Sequence, residues 1–329
     1  METLRWGILG AANFALGHMA PAIHAAKGNQ LYALATSSAE KVLPFKAFCP
    51  DLEIHSSYDA LLADPLVEAV YIPLPNHLHL EWTLKALAAG KHVLTEKPIA
   101  LKAVEIDEII AARDRSGLLA AEAFMIVHHP QWKRAKEWLA AGEIGPLRHV
   151  DAQFSFYLSD AGNIRNRPET GGGSLRDIGV YTFGSMRFVT GAEPLDLSAR
   201  LAFENGIDTF AEVQAMMEGP LGRFTYSSMT SMRLYNRQVV TFQGTKGMIR
   251  LEGGPFNANV NDMAEVELHR GGNAVLTERF VAVNQYVLQV EAFARSVREG
   301  VPYAAPLEFV RGTQAMIDSA FALGKDIQI

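Results

Sequence analysis

The feature that most narrows what this chain can fold into is the alternation, over its first 123 residues, of short apolar runs with stretches of helical periodicity. Trp6 to Leu9 is an apolar run stopped by Gly10, Leu31 to Ala35 is a second, and between them Leu16, Met19, Ile23 and Ala26 recur at helical spacing. This predicts a βαβ unit, with Pro21 either kinking the helix or delaying its start, because proline offers no backbone donor. Ala69 to Ile72 then reads as a strand and Leu78 to Ala89 as a helix closed by Gly90. His92 to Thr95 follows as a strand, Ala103 to Ser116 as a helix ended by Gly117, and Leu119 to Ala123 as the next strand. Such alternation predicts a doubly wound parallel sheet, since parallel neighbours need a crossover between them.

Beyond residue 124 the texture changes. One amphipathic segment, Gln131 to Ala141, precedes long alternating stretches at Arg148 to Tyr157, Ala211 to Met217, Gly222 to Ser228, Gln238 to Gln243 and Ala264 to His269. A chain of 329 residues exceeds what a single core usually spans. The expectation is an α/β Rossmann-like domain over residues 1–123 and an α+β domain with a large, mainly antiparallel open sheet over 124–329. No Pro- or Ser-rich linker separates the halves, which predicts that they share a packed cleft.

Composition removes several function classes. A net charge of −6, with both signs interspersed, leaves no basic stripe to neutralise phosphates, so no nucleic-acid partner is expected. Cys49 is the only cysteine, which excludes an intrachain disulfide and thiolate zinc clusters and suits a reducing cytoplasm. No run approaches the roughly 20 apolar residues of a membrane helix, and METLRWGILGAA is unlike a signal peptide, so a cytoplasmic location without membrane partners is expected.

GILGAANFA places Gly7 and Gly10 at the end of the first strand, where a tight turn brings backbone N–H groups and a helix N-terminus to a pyrophosphate. Gly10, Ala12, Asn13 and Phe14 are the candidate contacts, although Ala12 and Ala15 stand where second and third glycines are usual, so a plain strand-turn-helix stays open. NAD sites usually carry an acid at the end of the second strand. Here Thr36, Ser37 and Ser38 occupy it, with Lys41 close behind, and hydroxyls plus a cation suit the 2′-phosphate of NADP better than the free ribose of NAD. Both cofactors remain open, because Ser38 could equally cap a helix from Ala39 to Phe48.

In HVLTEKPIA an apolar strand runs directly into Glu96, Lys97 and Pro98, which sets Lys97 at the carboxyl edge of the sheet beside Gly10 and the loop Pro73-Leu74-Pro75-Asn76-His77. Open α/β sheets bind ligands at that edge. Further on, ETGGGSLRDIGVYTF joins three glycines to a helix on which Asp177 and Tyr181, four apart, share a face. A tyrosine with an ordinary pKa near 10 acts as a base at neutral pH only beside a cation, and Lys97 could be that cation. A glycine hinge with a buried tyrosine is the plainer alternative.

GILGAA, AVYIPLPNHLH, the Glu-Lys-Pro of HVLTEKP and GGGSLRDIGVY, in this order, resemble the family of glucose–fructose oxidoreductase and inositol dehydrogenase. IGPLRHVDAQFSF, NIRNRPETGGG, FQGTKGMIRLEGGPF and NQYVLQVEAFARSVREG extend the resemblance over essentially the whole chain. The resemblance implies that Lys97 binds the reacting hydroxyl, that Tyr181 is the acid/base and that Asp177 helps hold substrate. It implies dinucleotide contacts at Pro73, Leu74, Asn76, His79, Glu96 and Lys97 besides those above, and substrate neighbours at Glu122, Arg165 and His128, with an exposed loop arginine the duller reading of Arg165. Tyrosine at 181 looks most like the branch with D-xylose and dihydrodiol dehydrogenases, which mainly use NADP. Val127 and His128 depart from the arginine and aromatic residue common there, which predicts an altered pocket.

The expected activity is therefore hydride transfer between a nicotinamide and a hydroxyl or carbonyl carbon of a sugar, cyclitol or dihydrodiol. The rival is a non-catalytic dinucleotide-binding sensor on the same fold. No metal is expected, since neither His77 with His79 nor His128 with His129 has helical i, i+4 spacing or a completing carboxylate. A homodimer or homotetramer is expected on the argument that one sheet face would be apolar and uncovered.

Overall fold

The computed structural model describes residues 2–260 and 263–329. In chain order its first strands and helices are β1 Leu4–Leu9, α1 Ala20–Ala25, β2 Asn29–Ala35, α2 Ala39–Phe48, β3 Glu53–His55, α3 Tyr58–Ala63, β4 Ala69–Ile72, α4 His79–Ala88, β5 His92–Thr95, α5 Ala103–Ser116 and β6 Ala120–Glu122. There follow α6 Pro130–Ala140, β7 Leu147–Tyr157, α7 Val180–Thr190, β8 Glu193–Glu204, β9 Ile207–Gly219, β10 Gly222–Ser231, β11 Arg233–Gly244, β12 Gly247–Leu251, β13 Ala264–Arg270, β14 Val275–Phe280, α8 Gln285–Glu299, α9 Leu307–Leu323 and β15 Lys325–Asp326.

Strands β1 to β6 form one parallel sheet in the order β3-β2-β1-β4-β5-β6, the doubly wound arrangement expected. Its central strands carry continuous apolar runs because helices cover both faces: Leu4, Trp6, Ile8 and Leu9 of β1 and every residue of β4 are buried. The Pro21 ambiguity resolves into neither alternative. Helical structure begins at Asn13, passes through a π-helical stretch, Ala15–Met19, and enters α1, with Pro21 in the first turn of that helix. The wider π turn rearranges the bonding just before the residue that cannot donate.

The second sheet has nine strands in the order β14-β13-β12-β11-β7-β10-β9-β8-β15. It is antiparallel except where β7 lies beside β10 and β15 beside β8. Helices α6 and α7 pack on one face against β7, β10, β12 and β13. On the other face the central strands β7 and β10 carry polar side chains, unlike the apolar surface expected there. His149, Asp151 and Gln153 of β7 stand beside Thr225 and Ser227 of β10, tied by Ser227–Asp151 and His149–Thr225 hydrogen bonds of 2.7 and 2.8 Å.

The division of the chain also differs from a single cut after residue 123. One compact unit comprises Met1–Met125 with Asn284–Arg311, the other Ile126–Val283 with Gly312–Ile329. The return is driven by packing inside the first unit: Trp6 of β1 meets Phe293 of α8 at 4.8 Å, and Arg298 of α8 bonds Glu68 at 2.6 Å. Among the described residues no helix is long and apolar enough to cross a membrane.

Candidate active site

At the carboxyl end of β1 the chain turns at Gly10, whose φ of +101° favours glycine. A Cβ there would also stand 3.0 Å from Leu74 Cδ2 and 3.2 Å from the Tyr58 hydroxyl. The turn opens onto a cavity of about 540 Å³. Of the expected dinucleotide contacts, the cavity gathers Gly10, Ala12, Thr36, Ser37, Ser38, Lys41, Pro73 and Leu74. Ser38 does both things considered for it, lining the cavity while its hydroxyl caps α2 by accepting from Lys41 N at 3.4 Å. The donor set of two serines, one threonine and one lysine, with no carboxylate at the end of β2, fits a phosphate on the ribose.

The cavity has a further wall that sequence reading missed. Ser57, Tyr58 and Asp59, just after β3, and Trp82 of α4 line it. Tyr58 and Trp82 meet edge to face at 4.9 Å, and Lys85 Nζ lies 4.2 Å from the centre of the Trp82 ring. β3 and α3 have only three and six residues, too few for a periodicity to announce the turn between them or the Tyr58 and Asp59 that open the helix.

Asn13, Phe14, Asn76, His79, Glu96 and Lys97 do not line this cavity. Asn13 and Phe14 open the first helix, where the Phe14 ring packs against His18 at 4.9 Å and Tyr286 at 5.9 Å. Asn76 begins the short turn Asn76–Leu78 that leads into α4.

Lys97 follows β5 at the sheet edge, as expected, and the backbone around it is held by buried side chains. Glu96 accepts from the Tyr71 hydroxyl at 2.6 Å and from Lys97 N at 3.2 Å. Two of the expected site residues are engaged by backbone groups here. His79 is fully buried, with Nδ1 2.7 Å from the Pro98 carbonyl and Nε2 2.7 Å from the Leu74 carbonyl, so it joins the two loops instead of facing a ligand. Burial pushes its pKa down to about 4, while two carbonyl acceptors on one ring pull toward the doubly protonated form. Glu122, at the end of β6, is 3 % exposed, and its Oε2 accepts the Ile99 N–H at 2.9 Å.

In the second unit the three glycines of ETGGGS make a close turn. A Cβ on Gly172 would come within 2.4 Å of the Arg165 carbonyl, and one on Gly173, at φ +115°, within 2.0 Å of Asp208 Oδ1. Asp208 is another residue sequence reading missed. It is buried, accepts the Ser174 hydroxyl and the Leu175 N–H at 2.7 Å each, and burial pushes its pKa up to about 6. It thereby anchors a π-helical turn, Leu175–Gly179, that carries Asp177 and runs into α7 with Tyr181. Asp177 pairs with Arg165 Nε at 2.8 Å, so these two expected site residues are brought together. Tyr181 is 6 % exposed and packs against Phe154 and Phe256 at 5.7 and 5.6 Å. Val127 and His128 are buried. Among the described residues no three His, Cys, Asp or Glu side chains gather as metal ligands.

Comparison with known proteins agrees with this architecture. Residues 4–124 match the model of an oxidoreductase family with an NAD-binding Rossmann fold, and residues 132–250 match the GFO/IDH/MocA C-terminal domain. The chain is similar to an uncharacterized oxidoreductase of Rhizobium meliloti, 36% identical over 97% of this chain and 96% of that one. It is also similar to D-xylose 1-dehydrogenase (NADP(+)) 2 of Haloferax volcanii, 36% identical over 90% of each. Among solved structures, KijD10, a 3-ketoreductase from Actinomadura kijaniata in complex with NADP and TDP-benzene, superposes with a TM-score of 0.89 over 99% of both chains at 28% identity.

Proposed function

This chain belongs to the Gfo/Idh/MocA oxidoreductase family, and we propose that it is an NADP-dependent enzyme that interconverts a hydroxyl and a carbonyl on a sugar, cyclitol or dihydrodiol. The observation that carries this reading is the cavity at the carboxyl end of β1 and β2, where Ser37, Ser38 and Lys41 offer hydroxyls and a cation and the end of β2 carries no acid to pair with a free ribose 2′-hydroxyl, the one acid of the lining, Asp59, coming from α3. The NADP named for the xylose dehydrogenase and bound to the ketoreductase supports it.

NADP, when bound, accepts or returns a hydride. Lys97 donates a hydrogen bond to the reacting oxygen and stabilises the negative charge that builds there. Tyr181 takes the hydroxyl proton in oxidation and returns it in reduction, and Asp177, steadied by Arg165, orients the group that reacts. The sugar named for the xylose dehydrogenase and the ketone reduction named for the ketoreductase favour turnover over the sensor reading. We further assign the protein to the cytoplasm, consistent with its single buried cysteine.

The test is nicotinamide absorbance with NADP, then NAD, offered beside a panel of aldoses, cyclitols and dihydrodiols. Lys97→Ala is expected to lower turnover by about a thousandfold while NADPH fluorescence still reports binding, because the lysine serves the transition state more than the cofactor. Near-normal turnover in that variant rejects the assignment.

A further inference from the structure

Backbone groups of Lys97, Pro98 and Ile99 are each held by a side chain, one from the adjacent Glu96 and two from other elements of the same unit. Lys97 N–H is held by Glu96 Oε2 at 3.2 Å, the Pro98 carbonyl by His79 at 2.7 Å, and Ile99 N–H by Glu122 Oε2 at 2.9 Å. Glu122 differs from the other two in bringing a carboxyl group from a neighbouring strand into a place with no solvent. It pairs with Thr95 across β5 and β6, so its side chain arrives at the sheet edge where Lys97 leaves it.

We infer that Glu122 is the positioning residue of Lys97: its carboxylate clamps the Ile99 N–H and so sets the Lys97–Ile99 turn, and its charge is the buried counterpart of the lysine ammonium. A buried carboxylate is costly unless it is hydrogen-bonded and near a cation, and the Ile99 N–H and the Lys97 charge are the groups that offset its burial.

The electrostatics agree with the geometry. Burial pushes the Glu122 pKa up to about 7, while the Ile99 N–H and the Lys97 charge pull it down and Glu96 pushes it up. The charged and titratable groups facing it are thus Lys97 and Glu96 on the strand-end loop, and Tyr303, whose own pKa is raised by burial and by Glu122. The ionisation of Glu122 is therefore expected to change the field around the Lys97 side chain, which an NMR signal on that side chain would read.

This inference rests on the role proposed for Lys97, but its test reads the amine directly. Lysines of the full-length protein are reductively methylated with carbon-13 formaldehyde, and the Lys97 signal, assigned by its loss in Lys97→Arg, is followed by NMR from about pH 5 to about pH 9. An inflection near neutrality is expected in the native protein. In Glu122→Gln, which keeps an oxygen for the Ile99 N–H but no charge, the inflection should vanish while NADPH affinity stays within about twofold. In turnover the same variant should lose about tenfold in kcat above neutral pH with little change in the KM for NADP, and Glu122→Asp should recover part of it. A native signal without the inflection, or one that persists in Glu122→Gln, overturns the inference, and the native measurement needs no variant to fold. A coupled pair in a protein whose Lys97→Ala variant still turns over would instead reject the proposed function and leave the coupling standing.

Discussion

Gly173 and Gly222 both hold positive φ, at +115° and +87°, but their surroundings differ. A Cβ at 222 meets nothing within 4 Å, whereas one at 173 collides with Asp208 Oδ1 at 2.0 Å. Gly222→Ala should therefore cost only the backbone strain, about 1 kcal/mol, and Gly173→Ala about 3 kcal/mol or more in urea unfolding. Equal losses would mean that Asp208 swings aside without cost, contrary to its two short hydrogen bonds. At the cavity, Lys41→Ala should weaken NADP at least about tenfold and leave NAD nearly unchanged, measured by fluorescence titration. Parallel weakening of both dinucleotides would place Lys41 away from the 2′-phosphate. The sequence exposes Lys41 and Lys97 because each stands a fixed few residues after a strand end. It does not show that His79 and Glu122 turn inward, since the partners they find, the carbonyls of Leu74 and Pro98 and the Ile99 N–H, lie on other elements and only the folded sheet brings them near.

Length helped but did not suffice: several long strands were readable from their alternation, whereas β8, α8 and α9, of 12, 15 and 17 residues, were not singled out as elements in the sequence. β7, β9, β10, β11 and β13 contain the alternating stretches seen in the sequence, while β3 and β15, of three and two residues, carry no pattern of their own. The turn from Gly171 to Gly179 shows the same divide. Its glycines mark it in the sequence, but its shape depends on Asp208 of β9, 33 residues beyond Leu175. Asp208→Ala would leave the Ser174 hydroxyl and the Leu175 N–H without their buried acceptor, an expected loss of about 3 kcal/mol in denaturant unfolding. A fall in kcat is also expected, since the same turn carries Asp177 and leads to Tyr181; stability loss with unchanged turnover would show that the turn keeps its shape without the anchor.

For the whole molecule, the return of residues 284–311 to the first unit was invisible in composition, because α8 is an ordinary amphipathic helix and only Phe293 against Trp6 and Arg298 against Glu68 reveal where it belongs. Whole-molecule stability is also where the buried titrating groups combine, and they oppose one another. Glu122 and Asp208 have folded pKa values raised to about 7 and about 6, so the folded state keeps their protons longer than the unfolded chain does. Their contribution is most favourable below the unfolded values and is lost as pH rises through the folded ones. His129 works in the other direction: burial lowers its pKa to about 4, so below its ordinary value of 6.5 the unfolded chain binds the proton first and stability falls as pH falls. Glu122→Gln removes one side of this balance. Relative to the native protein, the variant should gain stability between about pH 4.5 and pH 8, by on the order of 2 kcal/mol, as the native carboxyl ionises in its buried place and the amide does not. Comparing the two pH values cancels any fixed difference in how glutamine and glutamate hold the Ile99 N–H, so unfolding curves at both ends isolate the ionisation. An offset that stays constant with pH would show that Glu122 titrates alike in the folded and unfolded chain, and that no buried charge sits beneath Lys97.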